Sequence, residues 1–376
     1  MIKIAYILGK VHSGGKKNLV LEYLRHIDSN NIRIDFICDS DSNSIPEDEV
    51  INHGGKVFKI APYQNIVKNM KDIFHIFNTE KYDIVHAWNS TMNFFPMYLA
   101  KKSGIKVRIS ESLSMANKHE FKTVIKYILK PLSHCYANYF ISCGVDCGIF
   151  QFGKKTYESG KISIFKTVID AKNNLYDPVL RESTRKKFGW ENNIVYGFIG
   201  RYVPQKNPLF IIDIFNEILK RQKCAKLVLI GFGELEEAIE KRIHKYKISE
   251  SVENLGRRED IQQFYNAFDG FILPSLYEGL PVVGLESQCC GLPIFFSTEI
   301  THEAAACNLA IYTSLKESPH IWAEKIITMV QQNIPIRQSH CQDIINAGFD
   351  SHSESVRLQD YYLQTINEQY KPINTL

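Results

Sequence analysis

No run in the 376-residue chain stays apolar over the roughly 18 residues that a membrane-spanning helix requires. That argues against a span. No leader pattern opens the sequence either: Lys3 sits within residues 1–8, which run straight into patterned structure, so a cleaved signal peptide is not expected. The cysteines do not form a framework. There are nine, an odd count, and Cys38, Cys135, Cys224, Cys307 and Cys341 are scattered among apolar neighbours. Cys143 and Cys147 are four apart and Cys289 adjoins Cys290, but no second pair completes a zinc set. Reduced thiols packed as small apolar groups in a cytoplasmic protein are the expectation. Internal repeats and low-complexity segments are absent, and no nucleic-acid motif appears. The basic residues are not interleaved with a stacking series of aromatics, so nucleic acid is not expected as a partner.

Charge is present but uneven. Residues 1–190 hold 28 Lys and Arg against 18 Asp and Glu, while the remainder holds 17 against 23, so a net charge of +4 hides halves of +10 and −6. The first half is therefore suited to something anionic, such as phosphates or a membrane surface.

Short apolar runs alternate with longer helical patterns, which predicts parallel sheets covered by helices. Strands are expected at residues 2–8, 32–38, 84–86, 107–109 and 139–142, with amphipathic stretches at 17–27, 66–77 and 95–102. The pattern then restarts. Strands follow at 194–200, 226–231, 270–273 and 292–296, with helices at 208–220, 234–245, 261–267 and 282–290. At 376 residues the chain has room for two cores. The reading is α/β, with two Rossmann-like domains: residues 1–172, then 173–351 beyond a polar stretch that ends in Pro178. Residues 352–376 form a closing helix returning to the first domain. In paired open sheets ligands sit beyond the carboxyl ends of the strands, so the cleft between domains is the expected site.

The most informative segment is Leu273-Pro-Ser-Leu-Tyr-Glu278-Gly-Leu-Pro281-Val-Val-Gly-Leu-Glu286-Ser-Gln-Cys-Cys-Gly291-Leu-Pro293. A buried strand gives way to a turn carrying Glu278 and Gly279, and a helix starts near Pro281, where proline's missing donor is no loss. Free amides at that start, together with the helix dipole, suit a phosphate. Glu278 and Glu286 would straddle this anion site and accept hydrogen bonds from sugar hydroxyls. A lone strand, proline and helix would read only as a capped helix with a surface Glu. The whole string, with seven residues between the two Glu and Gly-Leu-Pro after each half, resembles the signature of family-4 retaining glycosyltransferases of the GT-B fold (glycosyl transferases group 1), of the kind found in bacterial capsular and exopolysaccharide biosynthesis. The resemblance implies that Glu278 binds donor-sugar hydroxyls and Glu286 ribose hydroxyls. It assigns the amides around Gly279, Leu280, Pro281, Val282 and Val283 to the sugar and diphosphate.

Phe198-Ile-Gly200-Arg201-Tyr-Val-Pro-Gln-Lys206-Asn-Pro supports the same family. Arg201 can hold a phosphate through its fork and Lys206 as a point charge. Alone they would be surface cations; by resemblance they hold the leaving diphosphate, whose developing charge needs fixed cations and amides where no metal serves. Ser13-Gly14-Gly15 follows the first strand, where close backbone approach to phosphate needs glycine. Tyr82-Asp-Ile-Val-His86-Ala, Ile230-Gly-Phe-Gly233 and Leu255-Gly256-Arg257-Arg258-Glu-Asp260 occur in the family's order; the last is similar to the segment whose backbone touches the nucleobase.

The departures lie on the acceptor side. Ser110-Glu111-Ser112 stands where the family often has histidine, so Glu111, with His119 nearby, is the candidate there. Lys16 and Lys17 replace a usual Glu. Asp39-Ser40-Asp41 matches the manganese-holding Asp-x-Asp but runs into Ser-Asn-Ser, and reads as a solvated loop. Lys118, Lys122, Lys126 and Lys130 form a cationic ridge beside Phe121, Val124, Ile125, Ile128 and Leu129. The ridge is either a solvated face or a peripheral contact with anionic lipid at the inner face of the plasma membrane.

The resemblance thus implies a cytoplasmic, retaining hexosyltransferase with Glu278, Arg201 and Lys206 as catalytic groups. It needs no cofactor or metal, the nucleotide sugar, a UDP-sugar on family grounds, being a substrate. The acceptor is a glycan or lipid-linked oligosaccharide. Attack is expected on the front face, with domain closure excluding water. Two other readings stay open: an epimerase or phosphorylase on the same plan, and a non-catalytic nucleotide-sugar binder.

Overall fold

The computed structural model describes residues 1–12, 15–113, 127 and 129–370; Gly14, Lys118, His119, Lys122 and Lys126 lie outside the described residues. The chain divides into two compact units, Met1–Val168 with Ser351–Leu376, and Ile169–Asp350.

The first unit is built on strands β1 (Ile2–Gly9), β2 (Ile32–Asp39), β3 (Val57–Ile60), β4 (Ile84–Ala87), β5 (Val107–Ser112), β6 (Tyr139–Ser142) and β7 (Ile162–Ile164). They form one parallel sheet in the order β3-β2-β1-β4-β5-β6-β7. Successive side chains point to opposite faces, so β1 feeds two cores. Ile4, Tyr6 and Leu8 enter one with Leu19, Tyr23 and Leu24 of the helix Gly15–His26. Ala5 and Ile7 enter the other with Ile73 and Phe77 of Ile66–Glu80 and Met97 of Phe94–Lys102. Apolar residues on both strand faces are what a sheet covered on both sides demands. The last helix, Ser351–Tyr370, belongs to this unit: Leu358 and Tyr362 complete the first core, and Gln359 Oε1 accepts from Asp28 N at 2.9 Å.

The second unit repeats the plan with β8 (Ile194–Ile199), β9 (Ala225–Ile230), β10 (Val252–Asn254), β11 (Gly270–Leu273), β12 (Ile294–Ser297) and β13 (Ala310–Thr313). The parallel order is β10-β9-β8-β11-β12-β13. The chain enters it through Asp177, whose carboxylate accepts from Val179 N and Leu180 N and caps the helix Pro178–Phe188. Strand order reverses between β8 and β11. Connections leave these neighbours in opposite directions, which opens a crevice at their carboxyl ends.

Candidate functional site

All six parallel strands of the second unit end on this edge, and the loops after β8, β9 and β10 are laced together. Gly200 N donates to Ile230 O, Tyr202 N to Phe232 O, and Gly231 N to Gly256 O, each at 2.9 Å. Tyr202 is fully buried and its hydroxyl donates to Asn254 Oδ1 at 2.9 Å. Such lacing demands a backbone without Cβ at Gly231: with φ at 151°, an added Cβ would lie 1.9 Å from Gly200 O. Gly231→Ala is therefore expected to cost about 2 kcal/mol or more in stability, as read by thermal unfolding. A variant matching wild type would show the loops yield freely.

The laced loops surround a cavity of about 180 Å³ lined by Ile199, Gly200, Arg201, Ile230, Gly231, Phe232, Arg257 and Arg258. Arg258 is committed, forking onto Asp260 and lying over the Phe264 ring. Arg201 and Arg257 are exposed, and neither side chain has a hydrogen bond or ion pair among the described residues. Phe232 is 50% exposed at the same rim. Two uncommitted guanidinium groups and an open aromatic face around one cavity suit an anionic ligand carrying a planar ring.

After β11 the chain turns through Glu278 and Gly279 to the helix Val282–Cys289, with Pro281 buried at its N-cap. The start at Val282 is the one expected from the sequence. Gly284 N bonds back to Pro281 O at 2.9 Å, while the amides of Val282 and Val283 precede any intrahelical partner and remain available for an anion. Leu280, Val282 and Val283 are half-buried, seated against the cores of this unit.

The structure brings Lys206 and Glu278 together: Nζ stands 2.6 Å from Oε1, with side chains 15% and 9% exposed. This is a charge contact whose angles fall short of a hydrogen bond, leaving Oε1 without one. Glu286 has a partner of its own. Its Oε2 accepts from the Tyr265 hydroxyl at 2.6 Å, and burial first, then the charge of Glu286, push the Tyr265 phenol well up so that it stays a donor. Tyr265 and Gln205, which contacts Glu278, were not singled out in the sequence. A fully buried tyrosine needs a partner for its hydroxyl, and that is the signal it carried.

The first unit holds the remaining candidates. Gly15 opens its helix, exposed, with open space around an added Cβ. Lys16 Nζ donates to Leu8 O and, at 3.1 Å, to Asn89 Oδ1; burial lowers its ammonium to about 8. Glu111, the acceptor-side candidate, is closed in the first core. It is 1% exposed, and its Oε2 lies 2.7 Å from Nε2 of His86, itself fully buried. The cause is its place on β5, a central strand whose side chains are closed in on both faces. Asp39 accepts from Tyr63 N and the Asn69 amide, and Asp41 pairs with Lys10, so each carboxylate of that motif already has protein partners. Among other groups, Cys307, His340 and Asp343 place potential metal-ligating atoms within 4.8 Å of one another; His340 and Asp343 already contact at 2.6 Å across the start of the helix Cys341–Asn346. Of the lysine ridge only Lys130 is described, lying over the Phe150 ring at 4.5 Å.

Comparison with known proteins agrees with this geometry. Residues 181–348 match the family Glycosyl transferases group 1. The chain is 26% identical to EpsF of Bacillus subtilis (strain 168) over 96% of both chains. It is also 26% identical to the UDP-Gal:alpha-D-GlcNAc-diphosphoundecaprenol alpha-1,3-galactosyltransferase of Escherichia coli, over 97% of both. Among solved structures, Anabaena Alr3699/HepE in complex with UDP superposes with a TM-score of 0.79 at 16% identity, covering 96% of this chain and all of that one. The fold is that of the GT-B proteins: two parallel-sheet α/β units in one chain.

Proposed function

We propose that this chain, whose residues 181–348 match the glycosyl transferases group 1, moves a sugar from a UDP-sugar, with retention and without a metal, onto a lipid-diphosphate-linked glycan in surface polysaccharide biosynthesis. The carrying observation is the edge of the second sheet, where Arg201 and Arg257 stand uncommitted around one cavity while Lys206 is held against Glu278. In this reading the cavity takes the uracil, and Arg201, Lys206 and the Val282 and Val283 amides take the diphosphate. Charge that develops on the departing phosphate meets donors already in place, the largest single contribution such a site can make. As the phosphate draws Lys206, Glu278 is released to accept from sugar hydroxyls, and Glu286, steadied by Tyr265, accepts from the ribose. No carboxylate in these motifs is positioned as a nucleophile, so attack is assigned to the acceptor hydroxyl on the face the nucleotide leaves, with the phosphate taking its proton. The E. coli relative supports donor and acceptor class, since its name states a UDP-Gal donor and a diphosphoundecaprenol acceptor; HepE bound to UDP supports the base.

A lipid-linked acceptor would bring the protein to the inner face of the plasma membrane as a peripheral, cytoplasmic enzyme. Among the described residues, no helix is long and apolar enough to cross a membrane. The binding-protein reading draws on Glu111 standing where the family often has histidine, and it predicts donor binding with no turnover against any acceptor.

Nucleotide release from a panel of UDP-, GDP- and ADP-sugars, with lipid-linked acceptor and EDTA present, tests the proposal. Release from UDP-sugars alone is expected, with Arg201→Ala lowering turnover on the order of 10²–10³-fold. Loss of activity in EDTA restored by manganese would overturn metal independence. Preference for GDP- or ADP-sugars would overturn the base, and an Arg201→Ala variant of undiminished activity would overturn the site.

A further inference from the structure

Glu278 sits in a turn that apolar packing barely holds. Leu276 and Tyr277 are 44% and 46% exposed, and Gly279 is exposed with open space where a Cβ would lie. The short 3₁₀ segment Pro204–Lys206 ties this turn across the β8–β11 crevice. Gln205 O accepts from Leu276 N at 2.8 Å. The Gln205 side-chain nitrogen donates to Tyr277 O at 3.0 Å and to Glu278 Oε2 at 3.4 Å. An amide NH₂ has two hydrogens, and these two acceptors use both. Asn207, in the left-handed region at φ 53°, adds a donation to Pro274 O at 3.2 Å. The Glu278 carboxylate is thus fixed at both oxygens by consecutive residues, neutral Gln205 at Oε2 and charged Lys206 at Oε1.

These two holds differ in what a diphosphate does to them. An anion competes with Glu278 for an ammonium, but it gains little from a neutral amide whose hydrogens are already used. We infer that Gln205 is a positioning residue for Glu278: it keeps the carboxylate aimed at the sugar once the diphosphate has drawn Lys206 away. The inference rests on the donor-site reading above and adds a division of labour within it, in which Gln205 governs the sugar end of the donor and leaves the nucleotide end alone.

The test uses the full chain, with UDP as the binding probe and turnover measured on whichever UDP-sugar the release panel selects. Gln205→Ala is expected to lower kcat roughly 10- to 100-fold, the scale of a misplaced reacting group, with UDP affinity and unfolding temperature unchanged. Gln205→Glu should be at least as poor, because a second carboxylate then faces Glu278. The double variant Gln205→Ala with Glu278→Ala should turn over no more slowly than Glu278→Ala alone, since residues acting through one group are not additive. Unchanged kcat in Gln205→Ala, additive losses in the double variant, or a parallel fall in UDP affinity would each overturn the inference. If Glu278→Ala itself keeps full activity, the donor-site reading fails first and the inference fails with it.

Discussion

Glu278→Ala is expected to lower turnover by about 100-fold or more while leaving the affinity for UDP unchanged or several-fold higher. The two halves of this result come from one contact. In the free protein Lys206 is neutralised by Glu278 at 2.6 Å, with both side chains largely withdrawn from water. A diphosphate arriving at this edge meets a cation already paired and a carboxylate that repels it. Deleting the carboxylate frees the ammonium and removes the repulsion, so UDP, which has no sugar to lose contact with, binds at least as well. A sugar donor loses the acceptor for its hydroxyls, and with it the orientation that turnover needs. The change should also lower the unfolding temperature, because a half-buried Lys206 loses its counter-charge, and UDP should restore part of that loss by binding only the folded state. Calorimetry with UDP beside a turnover assay decides the matter. A variant that loses UDP affinity in step with turnover would mean that Glu278 holds the site's shape rather than the sugar, and one that keeps turnover would remove it from the site.

The sequence allowed the interior of each sheet to be read, and not the edges. The nine strands expected from apolar runs are the nine that have neighbours on both sides; β3, β7, β10 and β13, which were not expected, are the four edge strands. The cause is physical. A central parallel strand is buried on both faces and reads as a continuous apolar run, whereas an edge strand of three or four residues carries polar residues such as Lys59 or Glu253 that break the run. The site shows the same division. Glu278 and Lys206, which the structure places 2.6 Å apart, and the helix start at Val282 could be picked out from residue type and spacing within single motifs. Gln205 could not, because its contacts with Tyr277 and Glu278 run between segments more than 70 residues apart. The enclosure of Glu111 was not legible for a related reason: nothing in the local sequence tells that a histidine from β4 will lie against it in the core.

That enclosure carries the second large prediction. His86 Nε2 stands 2.7 Å from Glu111 Oε2, His86 Nδ1 lies 2.7 Å from the Tyr362 hydroxyl, and that hydroxyl is 2.8 Å from the Tyr6 hydroxyl, all within the first core. Burial disfavours both charges: it lowers His86 from 6.5 to about 3 and raises Glu111 well above 4.5. The pair is therefore neutral, and the signs follow from linkage. Glu111 holds a proton in the folded state that the unfolded chain gives up above about pH 4.5, so its contribution is lost progressively as pH rises from there towards its folded value. His86 works in the opposite sense, contributing above pH 6.5 and losing that contribution as pH falls towards about 3. Between pH 7 and 9 the Glu111 loss alone remains. Glu111→Gln, which cannot ionise and whose amide can still face His86, should match wild type near pH 5 and become more stable than it as pH rises. Turnover should change little, because the side chain is closed in the core. Glu111→Ala should cost about 2–4 kcal/mol at any pH, through the cavity it leaves in the core. Unfolding temperatures from pH 5 to 9 separate the cases. If Glu111→Gln instead loses ground to wild type as pH rises through 7, the pair is a buried ion pair, and the histidine carries the proton that burial assigns to the acid.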